Sequence, residues 1–160
     1  MKCQKTAKAI SCTQKFYEKF ENFLLKFFQP FLLLALRLLV ASVFLKSGLT
    51  KISNFDTTIA LFENEYGVPL LSPVCAAYFA TFFELTCSVL LIAGLATRLA
   101  ALPLIGMTLV IQFFVIQNPD HFYWLATLAT ILTFGGGKIS LDHLLKKLCA
   151  NCIKKAESSK

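Results

Sequence analysis

The chain has 160 residues and a net charge of +7, and it combines 56% hydrophobic residues with only 16% charged residues and a mean hydropathy of +0.65. This balance is typical of an integral membrane protein. It also argues against a nucleic-acid partner, because twelve of the sixteen lysines and arginines lie before Pro30 or after Gly137, where they flank apolar stretches. Lysines in such positions are attracted to anionic lipid headgroups, so we expect the lipid bilayer to be the partner.

The first predicted element is a basic N-terminal segment, residues 1–29. Its phenylalanines recur at helical spacing, while lysines and glutamates lie elsewhere around the same helix; the apolar positions are Phe16, Phe20, Phe23 and Phe27. This pattern predicts an amphipathic helix that lies in the membrane interface. The alternative is a water-exposed extension packed on the cytoplasmic ends of the other helices.

Four apolar stretches follow, and each approaches the roughly 20 residues that a helix needs to cross a bilayer. They run from Pro30 to about Leu49, from Leu70 to Leu95, from Leu99 to Gln117 and from Phe122 to about Ile139. The fourth is the weakest, because glycines at residues 135–137 would fray its last turn. The predicted fold class is all-α: an integral membrane four-helix bundle over residues 30–145, with the interfacial helix before it and a basic cytoplasmic tail, residues 146–160, after it.

The positive charges also predict the orientation of the bundle. Six lysines precede the first span and six follow Gly137, so we expect both termini in the cytoplasm. Arg98 lies in the short turn between the second and third spans and falls on the same side. The loops on the other side are mainly acidic.

Glu84 is the only charged residue between Leu70 and Leu95. A charge at the centre of a span costs about 2.5–3.5 kcal/mol on insertion scales, so such a residue usually faces the bundle interior and has a partner. Small side chains share its helical face and indicate a packed surface; they are Ala77, Ala80, Thr81, Cys87 and Ser88. We therefore expect Glu84 to face neighbouring helices.

Arg37 is the only cation well inside the first predicted span, and we expect it to pair with Glu84. Their levels in the membrane differ by only about 6 Å at the helical rise of 1.5 Å per residue. Lys46 points the opposite way and can extend to the headgroups. Without a close cation, Glu84 is expected to be neutral and could carry a proton.

Polar residues on the third and fourth spans could line a small cavity beside this pair. Gln112 lies on the third span, and Tyr123, Thr127 and Thr130 share one face of the fourth. The alternative, which we favour for Gln112 and the threonines, is that they only form interhelical hydrogen bonds worth about 0.6 kcal/mol each.

The cysteines and histidines do not predict a metal site. Four of the six cysteines fall on the predicted cytoplasmic side, where thiols stay reduced. Cys149 and Cys152 have a C-x-x-C spacing that suits zinc or dithiol chemistry, but a chance or lipid-modified pair fits equally well, so their role stays open. His121 is expected to face solvent in a loop. No phosphate-binding glycine loop or dinucleotide motif is present.

Three segments resemble the DoxX family of small bacterial membrane proteins: LRLLVASVFLKSGLTKISNF (36–55), YGVPLLSPVCAAYFATFFELTCSVLLIAGLATRLAAL (66–102) and FGGGKISLDHLL (134–145). The most specific parts are the arginine of the first span with the following G-x-x-K, the glutamate with G-L-x-T-R downstream, and the closing S-L-D. The matching positions are Arg37, Gly48, Lys51, Glu84, Arg98 and Asp142. The second span departs from many relatives, which have glycines near residues 86–88.

This resemblance implies a protein of the bacterial cytoplasmic membrane, in a family linked to redox chemistry through related subunits of thiosulfate:quinone oxidoreductase. We expect a membrane subunit or small-molecule-binding component of a redox or detoxification system, in which a quinone approaches Arg37, Glu84, Gln112 and Lys51. Gly48, Arg98 and Asp142 are expected to be structural, and no tightly bound cofactor is expected.

Two alternatives remain open at this stage. The chain could be a small proton-coupled transporter that works as a homo-oligomer and uses Glu84. It could also be a scaffold that anchors soluble redox enzymes, with its charged pair serving only helix register. Whether it has enzymatic activity is left open.

Overall fold

The computed structural model describes residues 14–66 and 71–157. Within these ranges the chain forms helices and turns and no strands. The helices are α1 Gln14–Ser53, α2 Phe55–Leu61, α3 Pro73–Ala93, α4 Thr97–Val110, α5 Asp120–Phe134 and α6 Leu141–Glu157. π-helical turns occur inside α1 at Leu24–Phe28 and extend α2 and α4 over Phe62–Tyr66 and Ile111–Val115. The predicted all-α class is confirmed.

Residues 14–29 of the N-terminal segment and the first span form one continuous helix, α1, rather than a separate interfacial helix followed by a span, and residues 1–13 lie outside the described residues. Pro30 explains the π-helical turn that precedes it, because proline has no N–H for the helical ladder and its ring crowds the carbonyl of Lys26, four residues earlier. The four phenylalanines at helical spacing, Phe16, Phe20, Phe23 and Phe27, are exposed, and their placement in the interface stays a prediction. Both predicted domain boundaries, after residues 29 and 145, lie inside continuous helices.

Local sequence signals set the ends of α3. Ser72 caps its first turn by accepting a hydrogen bond from the Cys75 N–H, and Pro73 occupies the first helical position. Gly94 ends the helix in the left-handed conformation with φ 71°, and the N–H groups of Gly94 and Leu95 both bond to the Leu90 carbonyl. A residue without a Cβ adopts this conformation at little cost.

Helices α1, α3, α4 and α5 pack as a closed ring, in which α1 and α4 each contact both α3 and α5. Fully buried aliphatic side chains fill the centre of this ring, among them Val40, Leu91, Leu104, Leu128 and Ile131. Large apolar side chains cover the outside as well, and the exposed fractions of Leu39, Phe82 and Phe113 are 58%, 58% and 69%. A surface of this kind is stable in hydrocarbon and prone to aggregation in water.

Three segments are long and apolar enough to cross a membrane: Gln14–Ser53, Pro73–Ala93 and Thr97–Val115. The fourth predicted span corresponds to α5, whose 15 residues extend about 22 Å at the helical rise. That is shorter than the hydrocarbon core of about 30 Å. The count of four spans therefore stays a prediction.

Candidate functional site

Lys51 is the partner of Glu84. Its ammonium group donates hydrogen bonds to both carboxylate oxygens, at 2.8 and 2.9 Å, and to the Ser47 hydroxyl at 2.7 Å. The Ser47 hydroxyl in turn donates to Glu84 Oε1 at 3.3 Å. Glu84 is buried, as expected, and this is the single salt bridge among the residues that the structure describes. The predicted pairing of Glu84 with Arg37 is therefore wrong.

The pair forms because α1 continues beyond the predicted end at Leu49, which brings Lys51 into the helix one turn after Gly48. A Cβ added at Gly48 would lie 2.9 Å from Leu85 Cδ2 and 3.2 Å from Glu84 Cβ. Glycine at this position thus lets α1 and α3 approach closely at the level of the carboxylate. In the G-x-x-K motif, Gly48 and Lys51 lie on one face of the helix, so the same face packs closely against α3 and presents the cation to Glu84.

Arg37 lies toward the other end of the bundle and binds backbone carbonyls instead of a carboxylate. Its guanidinium donates to the carbonyls of Leu91 at 3.0 Å and Ile92 at 3.2 Å, at the C-terminal end of α3. It also donates to the carbonyls of Gly136 and, at 2.9 Å, Ile139, in the turn between α5 and α6. A cation is favourable at a helix C-terminus, where carbonyls have no helical partner. Arg37 therefore fastens α1 to α3 and to the turn.

Asp142 holds the start of α4 from outside that helix. Its carboxylate accepts hydrogen bonds from the N–H groups of Ala96 and Thr97, at 2.8 and 3.0 Å, and from the Thr97 hydroxyl at 2.8 Å. Partial burial alone would raise the pKa of Asp142, but these bonds and the charge of Lys146 outweigh it, so the pKa lies below its ordinary value. Arg98 donates to the Thr133 carbonyl at 2.9 Å. The expected structural role of both residues fits these contacts.

A cavity of about 580 Å³ lies beside the Lys51–Glu84 pair, in the half of the bundle nearer to α2. Its wall is mainly apolar and aromatic, with contributions from Phe44, Phe62, Phe79, Phe83, Met107 and Trp124. Its polar groups are few: Ser47, Lys51, Tyr66, Glu84, Asn118 and His121. A largely apolar cavity with a few convergent polar groups is the usual form of a small-molecule site. We call it the ligand cavity.

His121 is buried beside this cavity, so the expectation of a solvent-facing histidine is wrong. Its exposed fraction is 6%, and its Nδ1 lies 2.7 Å from Gln112 Oε1, which also accepts from the Asn118 N–H at 3.1 Å. Because an amide oxygen only accepts, Nδ1 carries the proton. In the neutral form of this ring Nε2 is the acceptor, and no described residue donates to it. Gln112 thus orients His121 and does not itself line the cavity.

The predicted site residues therefore separate into two groups. Lys51 and Glu84 line the ligand cavity, whereas Arg37 lies elsewhere and Gln112 acts through His121. Sequence reasoning missed Ser47 and His121. The spacing of Ser47 four residues before Lys51 was an available signal, because such residues share a helical face.

Metal chemistry finds no support in the described residues. No group of three or more potential ligands occurs within residues 14–66 and 71–157. Cys149 and Cys152 are exposed free thiols on α6, while Cys87 is buried in α3.

Long apolar helices that enclose an ion pair and a cavity, with apolar side chains outside, define the class as an all-α integral membrane protein. The chain belongs to the DoxX family, since the DoxX family model matches residues 32–117, which include Arg37, Gly48, Lys51, Glu84 and Gln112. No curated protein and no solved structure gives a significant match to the chain.

Proposed function

We propose that the protein binds a quinone or a similar lipid-soluble molecule in the ligand cavity and serves as the membrane component of a redox or detoxification system. The observation that carries this proposal is the cavity of about 580 Å³, because the Lys51–Glu84 pair and His121 all line it and the rest of its lining is mainly apolar. The family and the positive charge of both tails support a bacterial cytoplasmic membrane with the termini inside.

The chemistry of the lining suits both redox forms of a quinone. An oxidised ring offers two carbonyl oxygens, and the Lys51 ammonium can donate to one of them in exchange for its hydrogen bond to the Ser47 hydroxyl. A reduced ring offers two hydroxyl groups, for which Glu84 and the Nε2 atom of His121 are acceptors. The aromatic wall from Phe79, Phe83 and Trp124 provides apolar surface for the ring and its tail.

Quinone titration of the purified protein tests this proposal. A short-tailed ubiquinone analogue should bind saturably, and Gly106→Phe should abolish the binding, because Gly106 lines the cavity and a Cβ there has no atom within 4 Å. Leu109→Phe on the same helix is the matched control, since Leu109 is exposed and lies outside the lining. The proposal would be overturned if quinone binding to the wild type did not saturate, or if Gly106→Phe bound the quinone as tightly as the wild type.

One feature favours a second candidate, a proton-coupled transporter: the buried carboxylate of Glu84 lines the cavity. A lipophilic cation could take the place of the Lys51 ammonium beside Glu84, and Lys51, left in an apolar cavity without its counter-ion, would then release its proton. Adding tetraphenylphosphonium to detergent-solubilised protein should then release protons in the wild type and not in Glu84→Gln. A quinone-binding component without transport should release none in either protein.

A scaffold role remains the third candidate, in which the basic ends of the bundle recruit soluble redox enzymes. The lysines of α6, such as Lys147, Lys154 and Lys155, lie on an exposed amphipathic helix and support such contacts. Homo-oligomer formation is compatible with each of the three candidates.

A further inference from the structure

A second cavity, of about 440 Å³, lies at the opposite end of the bundle from the ligand cavity. It is enclosed by the first turns of α4 and α6, the glycine turn after α5, and the part of α1 around Pro30. None of its lining residues lines the ligand cavity. We call it the basal cavity.

The charge of the basal cavity is strongly positive. Arg98, Lys138 and Lys146 line it, together with His143, and Asp142 is the single carboxylate among them. That carboxylate is already occupied by the N–H groups of Ala96 and Thr97 and by the Thr97 hydroxyl. Among the described residues, the ammonium groups of Lys138 and Lys146 donate no hydrogen bond, and Arg98 uses one nitrogen for the Thr133 carbonyl. Cationic donors therefore remain available to an anion.

The glycine turn packs closely against the start of α4 and the residue before α6. A Cβ at Gly136 would lie 2.7 Å from Thr97 Oγ1 and 2.8 Å from Ser140 Cβ, so the turn can pack against α4 and α6 only with glycine here. Gly135 and Gly137 both have φ 74°, which L side chains rarely adopt. The sequence GGGK thus builds the floor of the basal cavity, although it is no nucleotide-binding loop.

The remaining wall is apolar and faces the surroundings of the bundle. Leu99 and Phe134 line the cavity with exposed fractions of 70% and 60%, and Pro30 and Leu33 form the inner side. An inorganic anion would use the cations and leave this apolar wall without a partner. A phospholipid places its phosphate and its acyl chains next to each other, which matches both parts.

We propose that the basal cavity binds the phosphate of an anionic phospholipid, with Arg98, Lys138 and Lys146 as the cationic contacts and Leu99 and Phe134 against the acyl chains. This site is separate from the ligand cavity and does not depend on the function proposed for it. It is also distinct from general attraction to a charged surface, because it requires particular lysines.

Native mass spectrometry of the full-length protein in detergent tests this site with three probes: phosphatidylglycerol, phosphatidylcholine and inorganic phosphate. The wild type should retain one phosphatidylglycerol in preference to phosphatidylcholine, and Lys138→Gln/Lys146→Gln should lower that affinity by roughly tenfold. Lys154→Gln/Lys155→Gln removes the same charge outside the cavity and should leave the affinity unchanged. Leu99→Ser keeps every cation and should weaken retention of the lipid.

Three outcomes would overturn the proposal. Equal losses in the two lysine double variants would show attraction by net charge alone. Equal retention of phosphatidylcholine and phosphatidylglycerol would remove the role of the anionic headgroup. Displacement of the lipid by an equal concentration of inorganic phosphate would assign the cavity to free phosphate.

Discussion

Two basic residues of α1, Arg37 and Lys51, are held inside the bundle by different chemistry. Lys51 presents a compact ammonium group to one carboxylate, whereas the planar guanidinium of Arg37 reaches carbonyls of two separate segments. Both arrangements avoid an unaccompanied charge in hydrocarbon. The two residues should therefore respond differently to substitution.

Removal of the Lys51 ammonium leaves a buried carboxylate without its cation. Lys51→Met should lower the free energy of unfolding by about 3 kcal/mol or more, and Lys51→Met/Glu84→Leu should recover most of it, since an apolar pair of similar volume replaces the ion pair. Thermal unfolding in detergent measures both. Lys46→Met is the control, because Lys46 is exposed on the same helix. A loss as large in Lys46→Met would contradict the assignment, and full cellular function in the double variant would favour the scaffold role.

Replacement of Arg37 by lysine keeps the charge but loses the fork of donors. Arg37→Lys should cost about 3 kcal/mol or more, because each hydrogen bond from a charged group contributes roughly 1.5–3 kcal/mol and one ammonium cannot reach both segments. The same melting experiment measures the loss. Quinone affinity per folded molecule should be unchanged, because Arg37 does not line the ligand cavity. A loss of quinone affinity without a loss of stability would instead place Arg37 in the binding site.

At the scale of the helices, the turn after α3 and the turn after α5 stabilise one another. Gly94 ends α3, the Asp142 N–H donates to the Gly94 carbonyl at 3.0 Å, and the Asp142 side chain caps α4. Ala96 has a positive φ of 47° between these two contacts. The strain of that conformation is offset by the bond from its own N–H to Asp142.

Acidification should weaken this junction. The folded-state pKa of Asp142 lies below its unfolded value of about 3.9, so its stabilising effect is complete above that value and is lost as pH falls through the folded pKa. Asp142→Asn should melt at lower temperature at neutral pH, and its difference from the wild type should shrink in acid. Melting curves across pH test this, with Asp120→Asn as the control. A difference that stays constant with pH would exclude the carboxylate as the cause.

Glycine at position 94 is required by both conformation and space. A Cβ there would lie 2.8 Å from Arg37 Nη1 and from Ser140 Cβ, and the left-handed conformation costs an L residue about 1–2 kcal/mol. Gly94→Ala should therefore destabilise the fold by at least that amount. Gly106→Ala is the matched control, because it has open space and helical geometry, and it should change stability by less than about 1 kcal/mol. Equal effects of the two substitutions would refute the steric argument.

The helices themselves were predictable, because long apolar runs with proline and glycine at their ends leave few alternatives. The partner of Glu84 was not, since its identity depended on where α1 ends. The first span was expected to end at about Leu49, but packing of Gly48 against α3 keeps the helix intact to Ser53. His121 was missed for a similar reason: burial depends on the neighbours Gln112 and Trp124, which periodicity along one helix does not reveal.

At the scale of the whole molecule, the two cavities lie at opposite ends of a ring of helices. The segments around Pro30 and after Phe134 line the same basal cavity, so the start of the bundle and the start of α6 lie at one end. This arrangement agrees with an even number of crossings, although α5 is short.

Labelling from each side of the membrane tests that number. Three variants each keep a single cysteine: Cys12, Cys152 or Asn64→Cys. Cys12 and Cys152 should react with an impermeant maleimide only after the cells are opened, and Asn64→Cys should react in intact spheroplasts. Asn64 and Cys152 are both exposed. Reaction of Cys12 and Cys152 from opposite sides would mean an odd number of crossings, with α5 failing to span.

The contacts of Arg37 also set a requirement on biogenesis. Its carbonyl partners follow it by between 54 and 102 residues, so the first helix must leave the ribosome and enter the translocon long before they exist. At a synthesis rate of about 5–20 residues per second, those separations correspond to roughly 3–20 s. Until then the guanidinium needs temporary solvation from water or headgroups, and a nascent chain that stops before the glycine turn would supply only the Leu91 and Ile92 carbonyls and lack those of Gly136 and Ile139.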